Sequence, residues 1–419
     1  MIETSRHARK LFAAVEGNAR VLVITEGASA IAFHWYTTYF SLYMVALGVS
    51  EIQVGLLASV MIAAQFVSTL LGGYAADRFG RKRMLVVGDI ICWGVPMALY
   101  AIAQNPWYFL IGRLINGCVF VVIPSFECLF VEDVAAERRP AVFAMLRFLY
   151  AAADLFTPIA GLLVAWLGMV MGGRAIMAIT AAAAVGTAIY RQLTLYETAM
   201  GREQMAAVLR ATPQAVLRGY RETVSLMLRS RELVTFLAVR VLVGFVMTIW
   251  NTYAAIYLTS ALGIGLPQAS IAILPFVSAL ATMSMIVLAA DRIRVGPLRA
   301  NLIAGQILWL AGAALLILSP AGTIIMALLW TVTAAVSSAL FQPASQSYWA
   351  GVVSDRTRAQ VFSMASAAIT LGALPAGPLA GLLYTLNPRA PFVLGIALQV
   401  VVLGLILSLG RRPAVETAG

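Results

Sequence analysis

Twelve predominantly apolar runs succeed one another along the chain, at 21–47, 52–76, 84–104, 107–131, 141–167, 173–192, 233–259, 268–290, 299–319, 322–349, 359–386 and 390–409. About 20 apolar residues suffice for a helix to cross the hydrocarbon of a bilayer. No water is present there to satisfy backbone N–H and C=O groups, so such a segment must bond them internally. The expected fold class is an all-α membrane protein with twelve transmembrane helices. Composition supports it: 61% hydrophobic and 11% charged residues do not describe a soluble chain of 419, and the charges bunch between the runs. Of the 29 Lys and Arg, 24 fall at the two ends or in the loops after runs 2, 4, 6, 8 and 10. That bias puts the N- and C-termini in the cytoplasm. It also accounts for the net charge of +11 without a nucleic-acid partner. The polar N-terminus lacks a small-residue cleavage site, so no signal peptide is expected. Cys92, Cys118 and Cys128 all fall in apolar runs and read as small buried packing residues, with neither disulfide nor metal spacing.

Between runs 2 and 3 stands GGYAADRFGRKR, Gly72 to Arg83. A loop this short turns two spans back antiparallel, and its basic cluster keeps it cytoplasmic. The spacing G-x-x-x-D-R-x-G-R-K, with Gly73, Asp77, Arg78, Gly80, Arg81 and Lys82, resembles the loop 2–3 signature of the major facilitator superfamily. In run 4, Arg113-x-x-x-Gly117 is similar to the superfamily's helix 4 signature, whose arginine is tied to proton coupling; Asn116 stands where glutamine is usual. In run 5, Thr157-Pro158-x-x-Gly161 looks like a fragment of the helix 5 signature of drug:proton antiporters, with Thr in place of the usual Gly before Pro. Close packing and a kink are the competing explanation of that segment.

The chain also repeats itself. Ala75-Ala76-Asp77-Arg78 recurs as Ala289-Ala290-Asp291-Arg292, and Tyr43 with Ala46-Leu47-Gly48 as Tyr257 with Ala261-Leu262-Gly263. Val142-Phe143 with Met145 recurs as Val361-Phe362 with Met364, and Pro158-x-x-Gly161 as Pro378-x-x-Gly381. The domains expected are a six-helix bundle over 1–192, a linker over 193–231 and a second, pseudo-symmetric six-helix bundle over 232–419. Duplication of this kind is typical of secondary transporters, with a binding site between the halves. Within the linker, Thr212-Pro213 reads as a helix start. The apolar positions Val216, Leu217, Tyr220, Val224 and Met227 then predict an amphipathic helix on the membrane surface, or else a solvated connector.

Ionisable residues inside apolar runs are costly there and are functional candidates by default. The first half holds nearly all of them: Glu26 and His34 in run 1, Asp89 in run 3, Arg113 and Glu127 in run 4, Arg147 and Asp154 in run 5. Runs 4 and 5 are antiparallel neighbours, and at 1.5 Å per residue Glu127 lies about level with Arg147, and Arg113 with Asp154. Two cross-helix ion pairs are expected, Glu127–Arg147 and Arg113–Asp154, serving coupling or plain neutralisation. Glu26 lies at the height of the first pair and His34 near that of the second. Tyr36, Tyr39, Asn116, Arg240, Trp250, Asn251, Gln342 and Gln346 are the candidate lining of a substrate cavity.

These features predict a secondary active transporter working by alternating access. Proton-coupled export (antiport) of amphiphilic, drug-like molecules is the first expectation, because the candidate lining is aromatic and buried carboxylates accompany it. Transport of an organic anion, metabolite or lipid, clamped by Arg113 and Arg240, is the second; a non-transporting sensor or assembly protein of the same fold is the third. Asp154 and Glu26 are the leading proton carriers, with His34 weaker. The chain carries no phosphate loop, metal-ligand spacing or covalent catalytic motif, so no cofactor, no metal and no enzymatic activity are expected. The partners expected are a small-molecule substrate, protons and membrane lipids, with the protein a monomer in a bacterial inner membrane. The resemblance further implies that Asp77 faces the helix start near Ala359, where the helix dipole favours a carboxylate by about 0.3–1 kcal/mol. It also implies that Arg81 pairs with Glu132 or Asp133. Replacing Asp77 with Asn should abolish transport in reconstituted vesicles while insertion and folding persist; an unchanged rate would leave the loop a purely topogenic role.

Overall fold

The computed structural model describes residues 15–207, 230–295, 298–352 and 358–409. Every regular element among them is helical. In chain order these are α1 (Gly17–Ala46), α2 (Glu51–Phe79), α3 (Arg81–Asp89), a π-helical turn (Ile90–Gly94), α4 (Val95–Ala101) and α5 (Pro106–Gly117). A 3-10 turn, Cys118–Val121, leads into α6 (Ile123–Val131), followed by α7 (Arg139–Asp154), α8 (Thr157–Thr194) and α9 (Ala199–Ala207). Then come α10 (Arg231–Thr259), α11 (Ile273–Val295), α12 (Leu298–Ile317), α13 (Ile324–Val352), α14 (Arg358–Ala373), α15 (Ala376–Leu386) and α16 (Ala390–Ser408).

Ten helical segments among the described residues are long and apolar enough to cross a membrane. Twelve were expected, and two local features account for the difference. Expected spans 5 and 6 fall in one stretch, Val142–Thr194. Within it the backbone leaves the helical region at Gly168, with φ 73° and ψ 169°. The helix α1 is not among the ten; its 30 residues are interrupted by Arg20, Thr25, Glu26, Ser29 and His34.

The chain divides into two compact units, one gathering the described residues of 1–50 and 60–211, the other those of 51–59 and 212–419. The first has a core of Leu22, Leu85, Leu129, Phe130, Val142 and Leu146, each at most 7% exposed. The second is built around Phe236, Val239, Leu302, Phe341, Val402 and Ile406. Residues 51–59 belong to the second because backbone meets backbone: a Cβ on Gly55 would lie 2.1 Å from the Gly377 carbonyl oxygen, and one on Gly377 2.2 Å from that of Gly55. Tyr253 closes the same crossing by donating to the Glu51 carbonyl at 2.7 Å. Small residues let apolar helices approach this closely where no hydrophobic effect drives them together. The helix expected over Thr212 to Arg229 lies outside the described residues. Among the described residues, α9 lies wholly within the expected linker.

Proline inside an apolar helix strands a carbonyl. Pro96 cannot donate to Cys92, four residues before it. Asn116 of α5 supplies the missing bond, its side-chain amide donating to the Cys92 carbonyl at 2.8 Å. Asn116 is fully buried. In the structure its amide serves the backbone of a neighbouring helix. Of the three cysteines only Cys92 is buried; Cys118 is exposed and Cys128 intermediate.

Gly168 sits in a backbone region that residues with a Cβ avoid, at a cost of order 1–3 kcal/mol, and nothing lies within 4 Å of where a Cβ would be. Gly168→Ala should therefore lower the thermal midpoint purely through backbone strain. Gly186→Ala, in equally open space on the same helix, should be neutral or stabilising by up to about 1 kcal/mol. Equal midpoints for the two variants would contradict this.

Candidate functional site

Thr180, Ala184, Thr187 and Arg191 follow one another on α8 at spacings of four, three and four, which places them on one face. That face packs on α1 and the α3–π–α4 segment. Arg191 is 3% exposed. Its Nη1 donates to Asp89 Oδ2 at 2.6 Å, its Nη2 to Glu26 Oε1 at 2.6 Å, and its Nε to the Thr25 hydroxyl at 2.9 Å. Tyr150 of α7 donates its hydroxyl to the other oxygen of Glu26, also at 2.6 Å. Two helices, α1 and α3, thus meet the guanidinium carried by α8, and α7 joins them through Glu26. Charge-assisted bonds to a planar fork are the strong kind, and without them a buried arginine would be severely penalised. With both carboxylates ionised, the trio holds two negative charges against one positive.

The trio forms one end of a cavity of about 400 Å³ inside the first unit. Phe33 and Trp93 line it and meet edge-to-face, their centroids 5.0 Å apart. His34 and Tyr150 also line it, with rings stacked at 6.4 Å. His34 contacts the carboxylate of Asp154 through its Nδ1. Asp89 is the last residue of α3, and Trp93 follows four later within the π turn. Such turns recur at functional sites.

The expected pairs do not form. Glu127 and Arg147 are both exposed and make no ion pair among the described residues. Rise per residue fixes height along a helix but not the side on which a residue stands. Asp154 pairs with His34, not Arg113. The Arg113 guanidinium lies 4.3 Å from the centroid of Phe40 and reaches the Met61 sulfur at 2.7 Å. Face-on aromatic contact of this kind attracts a cation.

Tyr36 and Tyr39, expected to line a cavity, are 4% and 0% exposed; Tyr36 lies among Phe33, Phe40 and Tyr100. In the second unit Trp250 is buried against Trp309, Trp330 and Phe392. Asn251, Gln342 and Gln346 are exposed, and half-buried Arg240 donates to Ser345 at 3.2 Å.

Arg191 was missed in the sequence because it stands near the end of the sixth run and counts there as a loop cation. The signal that marks it is the Thr180-Ala184-Thr187 stripe leading to it.

A second polar cluster surrounds the loop after α2. Gly73 lies in α2, and Gly80, at φ 84°, caps α3. Arg81 is 3% exposed, pairs with Glu132, donates to the Thr198 hydroxyl at 3.3 Å and lies 4.0 Å from Asp77. Arg78 donates to Tyr74 at 2.5 Å. The Lys82 backbone N–H donates to Glu197 at 3.0 Å. Asn18 meanwhile bonds both the N–H and the C=O of Tyr196, at 3.1 and 2.9 Å. The loop and the start of α1 therefore hold the segment that leads from α8 into α9.

Residues 22–296 match the family model described as Major Facilitator Superfamily. The chain belongs to that superfamily. It is a multi-pass membrane protein of a family of transporters, not enzymes. An uncharacterized MFS-type transporter, YqjV, from Bacillus subtilis is 31% identical over 129 residues, 30% of this chain and 30% of that protein. Multidrug resistance protein MdtL from Klebsiella pneumoniae is 31% identical over 123 residues, 28% of this chain and 30% of MdtL. The match thus spans less than a third of these curated relatives. The crystal structure of the nucleoside transporter NupG superposes with a TM-score of 0.73 at 13% identity, covering 95% of this chain and all of that one. At that identity the likeness is one of fold.

Replacing Arg191 with Met should leave buried Asp89 and half-buried Glu26 without their cation and lower stability by about 3–5 kcal/mol. Adding Glu26→Gln and Asp89→Asn should recover most of that loss. If the triple variant is as unstable as the sum of its parts in detergent unfolding, the three groups do not act as one.

Proposed function

We propose that this superfamily member is a secondary active transporter that exports amphiphilic, drug-like molecules in exchange for protons. The observation that carries the reading is the sharing of Arg191 by Glu26 and Asp89. One negative charge in excess, enclosed by an apolar bundle, is cancelled by one proton. A site that alternates between holding and releasing that proton supplies coupling. Tyr150 donates to Glu26, and His34, paired with Asp154, lines the same cavity, so further titratable groups lie beside the trio. The proton therefore sits on Glu26 or Asp89, with Asp154 and His34 next in line. The partial likeness to MdtL supports a drug-type solute.

The membrane arrangement proposed is twelve spans in two six-helix halves, with both termini cytoplasmic, in a bacterial inner membrane. On this count α1 is the first span and Gly168 separates the fifth from the sixth. Access alternates as one half rocks against the other, with Asp77, Arg78, Arg81 and Lys82 at the gating loop. A second reading, transport of an organic anion, draws support from Arg240, which finds a hydroxyl but no carboxylate among the described residues.

Proteoliposomes with an acidic lumen should accumulate ethidium against its gradient while the lumen loses protons. The Asp89→Asn variant, in which Arg191 keeps Glu26, should lose accumulation yet retain weaker downhill exchange of the dye. Ethidium movement without proton flux in the wild type would overturn the coupling. Stronger competition by lipophilic anions than by cations would favour the second reading.

A further inference from the structure

The cavity beside Arg191 lies within the first unit alone, whereas the resemblance implies a solute site between two halves. We propose that this cavity is itself a binding site for a small protonated amine carried on an aromatic or apolar body, with Asp89 as its anchor. The proposal rests on the transporter reading only for the steps after binding.

Three observations lead there. The first is charge. Glu26 and Asp89 together outweigh Arg191 by one negative charge, so the cavity disfavours an anion and is neutralised by a monocation. The second is the hydrogen bonding of the two carboxylates. Both oxygens of Glu26 are engaged, Oε1 accepting from Arg191 and Oε2 from Tyr150. Asp89 gives Arg191 only Oδ2, and its Oδ1 receives no donor from the described residues. Asp89 is 7% exposed and lines the cavity. A carboxylate oxygen with no donor from the described residues, on a residue that lines a cavity, can accept an N–H from a ligand. The third is the wall. Phe33, Trp93, His34 and Tyr150 all line the cavity, so a flat apolar body attached to the cation meets aromatic surface. About 400 Å³ suits a compact ligand and falls at the small end of known ligand cavities.

Residue chemistry argues against other occupants. Arg191 already serves two carboxylates and a hydroxyl, which makes it a poor clamp for phosphate or carboxylate. A metal ion fits poorly as well: among the described residues no three His, Cys, Asp or Glu form a metal-ligand group. Asp89 is therefore the specificity-determining residue, and Arg191 the positioning residue that holds its Oδ2 and leaves Oδ1 turned to the cavity.

The test uses purified full-length protein in detergent and three probes sharing one ring system: an aminoacridine cation, neutral acridine and an acridine carboxylate. Fluorescence polarisation reads binding, so no transport or proton gradient is needed. The wild type should bind the cation roughly ten- to a hundredfold more tightly than the carboxylate, the range expected for a hydrogen bond to a charged group. Asp89→Asn should lose that preference and bind cation and neutral ring alike. Ala184→Leu, which narrows the cavity without touching a charge, should weaken all three probes. Equal wild-type affinity for cation and carboxylate would overturn the proposal even if Asp89→Asn failed to fold. So would cation binding untouched by either variant. Cation selectivity in a protein that moves no protons would refute the coupling reading and leave this site standing; proton-coupled transport with unselective binding would do the reverse.

Discussion

Burying a guanidinium in an apolar helical bundle is tolerable only if carboxylates meet it, and this constraint organises the first unit. Arg191 is 3% exposed and near the end of a 38-residue helical element. It draws in Glu26 and Thr25 from α1 and Asp89 from α3; Glu26 in turn takes Tyr150 from α7. A single missing partner would leave an uncompensated charge among apolar helices. The trio therefore ties α1, α3 and α8 together by chemistry, where apolar surface alone has little to offer between helices surrounded by lipid.

The same scarcity of water governs the backbone around the site. A carbonyl stranded by Pro96 must be claimed by someone, and Asn116 claims it from a neighbouring helix. A sharp change of direction between two apolar stretches must be made with almost no loop, and Gly168 makes it in one residue. The π turn after Asp89 redirects the helix within the same few residues. Of these departures from ideal helix, the π turn reaches the cavity, through Trp93. The polar cluster at Arg81, Glu132 and Thr198 sits elsewhere in the unit, at the exit of α8, so chain continuity links the two.

Much of the architecture is legible in the chain, because apolar run length reports directly on spans and the Gly73–Lys82 loop carries a specific pattern. The family follows from that pattern and from the match over residues 22–296. Span count is less legible: α1 dilutes its hydropathy with Thr25, Glu26, Ser29 and His34, and Gly168 joins two expected spans as one continuous stretch. Site residues are legible as types but not as partners. Glu26, Asp89, His34 and Asp154 all announce themselves as ionisable groups in apolar runs, and their heights are given by rise per residue. Azimuth is not, and so Asp154 meets His34 where Arg113 was expected, while Glu127 and Arg147 never meet. Arg191 was hidden by position: next to last in its run, a basic residue looks topogenic. Asn116 and Tyr36 look like cavity residues because polar and aromatic side chains in membrane helices serve packing and backbone satisfaction as readily as ligands.

We propose that Glu26, Asp89 and Arg191 act together as a site that holds a single exchangeable proton. Infrared difference spectroscopy of the protein in lipid, stepped across the neutral pH range, reads protonated carboxyl groups directly. The account predicts a carboxyl band that appears on acidification and vanishes in both Glu26→Gln and Asp89→Asn, because each removes one of the two groups that share Arg191. A band that persists unchanged in both variants would contradict it, and would place the titrating carboxyl elsewhere in the chain.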